Sequence, residues 1–460
     1  MKPNPILYFL ALTLLWFACS IEDDMSPEGV SVGNLVFSTD TVSFDTLITS
    51  RTSITRRFRI FNPSNQDVVL NEIAVAGGDN SFYDIIVNGK QGATVADELL
   101  PKGDSILVLV NVNIDPNDQD LPFLVKDSVI VSWGNSTTDI KLEAWGQNAI
   151  FLRNQIICDQ TWTSERPYVI QGFVAVDSLC TLSIEPGTRV LVDNGASILM
   201  EGTLDVQGDS ANVVTFRNTR FDPGFLQAPG QWGGLVFLPG SRNNRISYAT
   251  IENAVTGIFS FGTNVESLRV HLDVDHTTIR HMSNAGIQVF TAEMNVSNTQ
   301  IYDCGAFMAS HFAGGNYTYD HCTFTNEQTS FIRDDPSVVF LDNFPQAEDP
   351  VVEDLSITIT NSILWGSEDE ELFIGNDGGA VIETILQQNI IRSEEEIPGN
   401  FTSNEFNFPG FINVFSFDYQ LDSLAFARGR ALESRRTDDL LGIPRDDMPD
   451  IGAFERVDEE

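Results

Sequence analysis

The stretch TLSIEPGTRVLVDNGASILMEGTLDVQGDSANVVTF (181–216), followed after an insert by PGQWGGLVF (229–237), decides how this chain folds. Thr181-Leu182-Ser183-Ile184 returns as Thr203-Leu204-Asp205-Val206, an offset of 22 residues at each position. Between them lie Val190 with Val192 and Ile198 with Met200, each pair spaced by two. That spacing puts both members of a pair on one face of a strand. Pro186-Gly187, Asn194-Gly195 and Gly202 fall between the pairs as turn residues. One period therefore holds three short strands separated by corners.

Self-similarity on the scale of roughly 20–50 residues marks repeat architectures. Three strands per period, with no helical periodicity between them, predict a parallel β-helix rather than a leucine-rich repeat or a propeller. A single coil cannot cover its own apolar positions. The next coil, stacked about 4.8 Å away, pairs its backbone and closes its core.

The repeat extends along the chain. A short polar-to-apolar phrase recurs at Tyr248–Ile251, His276–Ile279, Asn298–Ile301, His321–Phe324, Asn361–Leu364 and Gln388–Ile391. The steps are 28, 22, 23, 40 and 27 residues. The 40-residue step contains an Asp- and Pro-rich stretch from Arg333 to Asp354, read as a loop or an additional coil. Residues 33–148 differ in kind. Short alternating runs such as Phe58-Arg59-Ile60, Ile106–Val112 and Val129–Val131 are separated by turn-rich segments such as Asn62-Pro63-Ser64-Asn65 and Asn88-Gly89. About seven strands over roughly a hundred residues predict a β-sandwich.

The N-terminal end reads as a targeting segment. Residues 1–18 hold an apolar run, Ile6–Ala18, too short to span a bilayer comfortably but suited to a signal peptide. Trp16-Phe17-Ala18-Cys19 resembles a relaxed lipobox in which Cys19 becomes the lipidated residue, although the expected Leu stands one place early, at Leu15. Ser20-Ile21-Glu22-Asp23-Asp24 resembles the acidic signal that sends some Gram-negative lipoproteins to the outer face of the outer membrane. Residues 19–32 read as an acidic tether. With 26 Lys and Arg against 65 Asp and Glu, a net charge of -39, the chain lacks the basic footprint that nucleic-acid binding requires.

Several phrases resemble the right-handed parallel β-helix surface lipoproteins of Gram-negative bacteria that carry an N-terminal immunoglobulin-like domain. VSFDT (42–46), GGDNSFYDIIVNG (77–89), PKGDSILVLVNVNID (101–115) and AWGQNA (144–149) are similar to the immunoglobulin-like part. Pro449-Asp450-Ile451-Gly452-Ala453-Phe454-Glu455 is similar to the phrase that closes such β-helices. The resemblance implies an all-β protein: an immunoglobulin-like β-sandwich over 33–148, then a right-handed parallel β-helix over 149–460 with a C-terminal cap. It implies an outer-membrane protein, held by its lipid and facing the exterior, whose β-helix is a rigid platform for non-catalytic binding or adhesion, with surface glycans or polysaccharide as the candidate ligand. The alternative is a polysaccharide lyase or glycoside hydrolase working on the face around residues 271–321.

Candidate site residues follow from the histidines, all five of which lie at 271, 276, 281, 311 and 321. His276 and His321 occupy equivalent places two coils apart, with Asn298 between them, hence about 9.6 Å apart on a spacing of about 4.8 Å. One metal ion with bonds of about 2 Å does not take both. A polar ladder is the simpler reading. Asp275 and Asp320 each precede a repeated His and are candidates for a carboxylate column that binds Ca²⁺ or supplies an acid and base. From residue 151 onward there are 17 Arg and no Lys, which leaves Arg280 as the basic group nearest the histidines. The insert 218–230, bracketed by Phe221, Phe225, Trp232 and Phe237, is a candidate lip over a sugar-binding groove. Cys158 and Cys180 are one period apart and are expected to bridge in an oxidising compartment; Cys304 and Cys322, 18 apart, are less obviously aligned.

Overall fold

The structure, a computed structural model, describes residues 30–32, 34–49, 55–117, 120–263, 265–327, 329, 331–344, 351–402, 408–433 and 436–457. The expected leader, Cys19 and the tether up to residue 29 lie outside the described residues. Regular structure among the described residues consists of β-strands and four 3-10 turns. No helix among them is long and apolar enough to cross a membrane. The chain divides into two compact units, with Gln147 closing the first and Asn148 opening the main part of the second.

The first unit contains two sheets that share one core. One runs in the order Val30–Val32, Leu35–Phe37, Arg56–Phe61, Ser105–Val112, Tyr83–Val87, Lys90–Gly92. The other runs Thr41–Ile48, Ser136–Gln147, Phe123–Trp133, Val68–Val75, Thr94–Leu100. All pairings are antiparallel except that of Thr41–Ile48 with Ser136–Gln147. Alternation explains the burial: Ile106, Val108, Val110 and Val112 are inside, and the residues between them are partly exposed. Val30–Val32, assigned to the tether from sequence, pairs instead as an edge strand with Leu35–Phe37.

The second unit is dominated by a 23-stranded sheet whose pairings are all parallel. Strands Thr181–Ile184, Arg189–Val192 and Ser197–Met200 pair with Thr203–Gln207, Val214–Asn218 and Leu235–Phe237, respectively. Thr181 stands beside Thr203 and Leu182 beside Leu204, the register expected from the 22-residue offset. Three consecutive strands make one rung, and each rung hydrogen-bonds to the next. The inward pairs Leu182 with Leu204, Ile184 with Val206, and Ile198 with Leu235 are all completely buried. Removing each such side chain from water contributes about 1.5–3 kcal/mol. The 40-residue step is a single rung: Thr323 pairs with Ile363, and the intervening chain supplies strand Val338–Leu341.

The recurring phrase begins at a bend. Tyr248, His276, Asn298, His321, Asn361 and Gln388 all have left-handed backbone conformations, with φ between 42° and 57°. Such values are uncommon outside glycine, and Asn and His tolerate them better than most side chains. Tyr248 and His276 bend the continuous strands Asn244–Glu252 and His271–Met282, and the other four turn the chain from one strand of the rung to the next.

Among the described residues, the C-terminal segment packs along the side of the parallel sheet. After Phe401–Thr402 the chain forms a small hairpin, Phe411–Asn413 with Asp418–Leu421, and then runs back along the side of the preceding rungs. Gly452 N–H donates to the Asn361 carbonyl (2.8 Å) and Ala453 N–H to Thr323 Oγ1 (2.9 Å). A separate apolar cluster forms there, in which Tyr302, Ile363, Trp365 and Ile390 of the sheet pack against Phe411, Tyr419, Leu421, Ile451 and Phe454. The reason is the side of the sheet itself: its outward positions at 302 and 365 are aromatic and require a cover.

Candidate functional site

The residues singled out from sequence lie under this C-terminal segment. His276 and His321 are 6% and 0% exposed, and Asn298 is fully buried. His276 Nδ1 bonds Asp275 Oδ2 at 2.7 Å, and its Nε2 lies 3.4 Å from both Asn298 Nδ2 and Asp438 Oδ1. The Tyr248 ring stacks on it with centroids 4.2 Å apart. His321 Nε2 meets Asn361 Nδ2 at 3.3 Å. Burial, reinforced by the charge of Arg445, pushes His321 down to about 3, so it is neutral across the physiological range. Arg445 reaches into the column from the C-terminal segment, donating to Asn298 Oδ1 (3.1 Å), the Gly452 carbonyl (3.0 Å) and Glu455 Oε2 (3.1 Å).

The carboxylates are likewise engaged. Asp275 accepts from Ser297 Oγ at 2.6 Å as well as bonding His276. Burial works to raise its pKa, but these two hydrogen bonds, together with the charges of His276 and Arg436, outweigh burial and hold it below its ordinary value. Asp320 accepts from Thr360 Oγ1 (2.9 Å) and Asn361 Nδ2 (3.2 Å), with Arg436 Nε 3.8 Å away. Among the described residues, the one group of three His, Cys, Asp or Glu side chains with ligand atoms within 4.8 Å of one another is Cys158, Asp159 and Cys180. The two sulfurs of that group form a disulfide with Cα atoms 4.9 Å apart. Asp275 and Asp320 are therefore not brought into a cation-sized cluster with a third ligand.

Arg280 sits farther along the strand that carries His276, His271–Met282, between Glu252 and Tyr302 on the neighbouring strands. Its Nε donates to Glu252 Oε2 at 2.8 Å and its Nη1 to the Tyr302 hydroxyl at 3.0 Å. Burial opposes its charge, but Tyr302 and Glu252 prevail and raise its pKa further. A guanidinium held this firmly in its charged form is unsuited to accept a proton. Arg217 shares the same carboxylate, at 3.4 Å. Among the other histidines, His281 bonds Asp303 at 2.6 Å. His311 points into the core, flat against Phe340 (4.1 Å), with Nε2 2.7 Å from the Tyr319 hydroxyl.

The insert 218–230 is tied down rather than raised as a lip. Asn253 Nδ2 donates to the carbonyls of Leu226 (3.1 Å) and Ala228 (3.0 Å), and Asn218 Nδ2 to that of Phe225 (3.2 Å). Arg220 lies over the Phe225 ring at 3.6 Å.

What the sequence reading missed is an apolar outer face on another side of the rungs. Ile156, Ala175, Leu199, Val236 and Phe259 are in register on five successive rungs. Their neighbours Val174, Ile198, Leu235 and Ile258 point into the core, so these five point out. A second outward column contains Phe290 beside Phe312. Phe344 closes on both, with centroids at 5.0 and 5.3 Å, and Phe259 meets Phe261 edge-on at 4.9 Å. Ile156 is 69% exposed and Phe261 50%. A contiguous apolar surface on a chain of net charge -39 is the kind of feature that marks an interaction site. Gln288 and Asn284, joined by a 2.9 Å hydrogen bond, border it with polar groups.

No protein-family model matches the chain, and no curated protein matches it. Solved structures that match in part include a protein of unknown function from Porphyromonas gingivalis W83, at 10% identity over 28% of this chain and 61% of that one, with a TM-score of 0.20. PapD-like domain 7 of human CEP192 matches at 10% identity over 26% and 89%, TM-score 0.18. A family 123 glycoside hydrolase from Clostridium perfringens matches at 9% identity over 24% and 23%, TM-score 0.17. At these scores none bears on fold or function.

Proposed function

We propose that this is an outer-membrane surface lipoprotein, anchored through Cys19, that uses a right-handed parallel β-helix as a rigid, non-catalytic platform for binding glycans, with an immunoglobulin-like β-sandwich as its spacer. The observation that carries the reading is the outward column from Ile156 to Phe259 with its flanking phenylalanines. Aromatic rings bordered by amide groups suit the apolar faces and hydroxyl edges of sugar rings. The rungs hold these side chains at fixed spacing, so little order is lost on binding.

The burial of the histidine column supports the binding reading over the enzymatic alternative, a lyase or hydrolase on the face around residues 271–321. His276, Asn298 and His321 are closed over by the C-terminal segment, and Arg280 is committed to Glu252 and Tyr302. The test is a glycan array probed with the full chain, followed by titration of each hit. Phe261→Ser combined with Phe290→Ser is expected to weaken binding at least about tenfold, the equivalent of about 1.4 kcal/mol, with no new reducing ends or unsaturated products. Binding that survives both substitutions, or product formation lost in His276→Ala, would overturn the proposal.

A further inference from the structure

Among the described residues, the last full rung of the parallel sheet is covered only in part: Phe401–Thr402 pairs with its third strand, Ile390–Ile391, and its other two strands have no further partner. In the penultimate rung the inward residues Leu355, Ile357, Ile359, Val338 and Phe340 are completely buried. Register places Ile382, Thr384 and Leu386 beside the first three, and Leu372 and Ile374 beside the last two. These five point to the same interior, yet Thr384 is exposed and the other four are only half-buried. Among the described residues, no strand pairs with the outer side of Leu372–Gly375 or Ile382–Gln387.

The backbone is open over the first part of this edge: the outward Leu386 carbonyl accepts from Asn400 Nδ2 (3.0 Å) and the Gln388 N–H donates to the Gly399 carbonyl (2.8 Å), but Ile382 and Thr384 lie clear of these two contacts. Leu355 N–H donates to the Val381 carbonyl and Asn361 N–H to that of Gln387. Hydrogen-bonding groups alternate sides along a strand, so those of Ile382 and Thr384 point away from the sheet. The segment after the last rung brings Ile397 against the core there. Its neighbours Glu394, Glu395 and Glu396 are exposed, as are Glu383 and Asp377.

We infer that this end of the sheet is a docking edge for a partner polypeptide that adds one extended strand, with apolar residues facing in and Lys or Arg facing out. Each part of that description answers a feature of the edge. The free N–H and C=O groups need a strand. The half-buried Leu372, Ile374, Ile382 and Leu386 need alternate apolar side chains. The surrounding carboxylates need cations and disfavour a second copy of this chain, which would bring the same carboxylates to the same place.

The experiment uses the full chain and three labelled peptides read by fluorescence anisotropy. One alternates valine and lysine; a second has the same composition in an order with no apolar face; a third alternates valine and glutamate. The alternating lysine peptide is expected to bind at least tenfold more tightly than the other two. Thr384→Pro deletes an outward N–H at a position where an edge strand accepts proline, and it is expected to weaken that binding at least tenfold. Leu372→Lys, which puts a cation on the edge, is expected to do the same should the proline variant fold poorly. Phe261→Ser is expected to leave it unchanged, which separates this edge from the apolar face. Equal binding of the reordered peptide overturns the proposal, as does full affinity in both edge variants. A concentration-dependent dimer, seen by light scattering and abolished by Thr384→Pro, overturns it in favour of a second copy.

Discussion

Arg445→Met tests whether the C-terminal segment is held by one buried cation. The Arg445 side chain is 3% exposed, and Glu455 opposite it is 2% exposed. Its guanidinium also donates to Asn298 Oδ1, to the Gly452 and Asp450 carbonyls, and through Nε to that of Asp438. Methionine preserves much of the bulk but leaves the Glu455 charge and the Asn298 oxygen without their cation. Breaking a buried pair from one side costs about 3–5 kcal/mol. At about 1.4 kcal/mol per factor of ten, local opening becomes roughly a hundred- to a few thousand-fold more frequent. The assay is native-state hydrogen exchange at the Gly452 and Ala453 amides, which donate to Asn361 and Thr323. Their protection is expected to fall by that factor, while amides of the strands at 181–207 keep theirs. The loss is expected to shrink in acid, because burial already raises the Glu455 pKa and loss of its cation raises it further, so its proton is bound more readily in the folded state. Unchanged protection at 452 and 453, or a uniform loss across the sheet, would refute the reasoning.

Three further outcomes are expected. Leu204→Ala removes a fully buried side chain stacked on Leu182 and should cost about 2–5 kcal/mol in urea unfolding. Reducing the disulfide between Cys158 and Cys180, which are 22 residues apart, should destabilise the first rungs by about 2–4 kcal/mol; buried Cys304 and Cys322, whose pKa values burial raises, should resist alkylation until unfolding. Burial holds His311 and His321 down to about 3, against 6.5 when unfolded, so the unfolded chain binds more protons between those values. Their stabilising contribution is therefore complete above pH 6.5 and is lost as pH falls toward 3, by about 1.4 kcal/mol per pH unit for each; denaturation midpoints across that range should show a gentler slope in His321→Gln.

The rungs were legible because their signals are local. The phrase steps of 28, 22, 23, 40 and 27 residues reappear as the pairings Thr250 with Thr278, Thr278 with Gln300, Gln300 with Thr323, Thr323 with Ile363, and Ile363 with Ile390. The path of the C-terminal segment was not legible, because its anchors are distant in sequence: Leu432 meets Asn361 across 71 residues, and Tyr248 meets Asp438 across 190. The outer apolar face was hidden for a different reason. Ile198-Leu199-Met200 and Leu235-Val236-Phe237 are unbroken apolar runs, in which period-two alternation cannot separate inside from outside. The histidines could be placed on a common column, but the left-handed backbone that fixes them there leaves no compositional trace.

The bends at 248, 276, 298, 321, 361 and 388 have a consequence for how such a chain accommodates extra length. Each is made at a single left-handed residue, within a strand at 248 and 276 and between two strands at the others, which leaves no slack for added residues. The other two corners of the rung lie between Val214–Asn218 and Leu235–Phe237 and between Val338–Leu341 and Leu355–Thr360, where the flanking strands are far apart in sequence. A peptide epitope or fluorescent reporter is therefore expected to be accepted at those two corners, while one spliced beside Asn298 would push every later rung out of step.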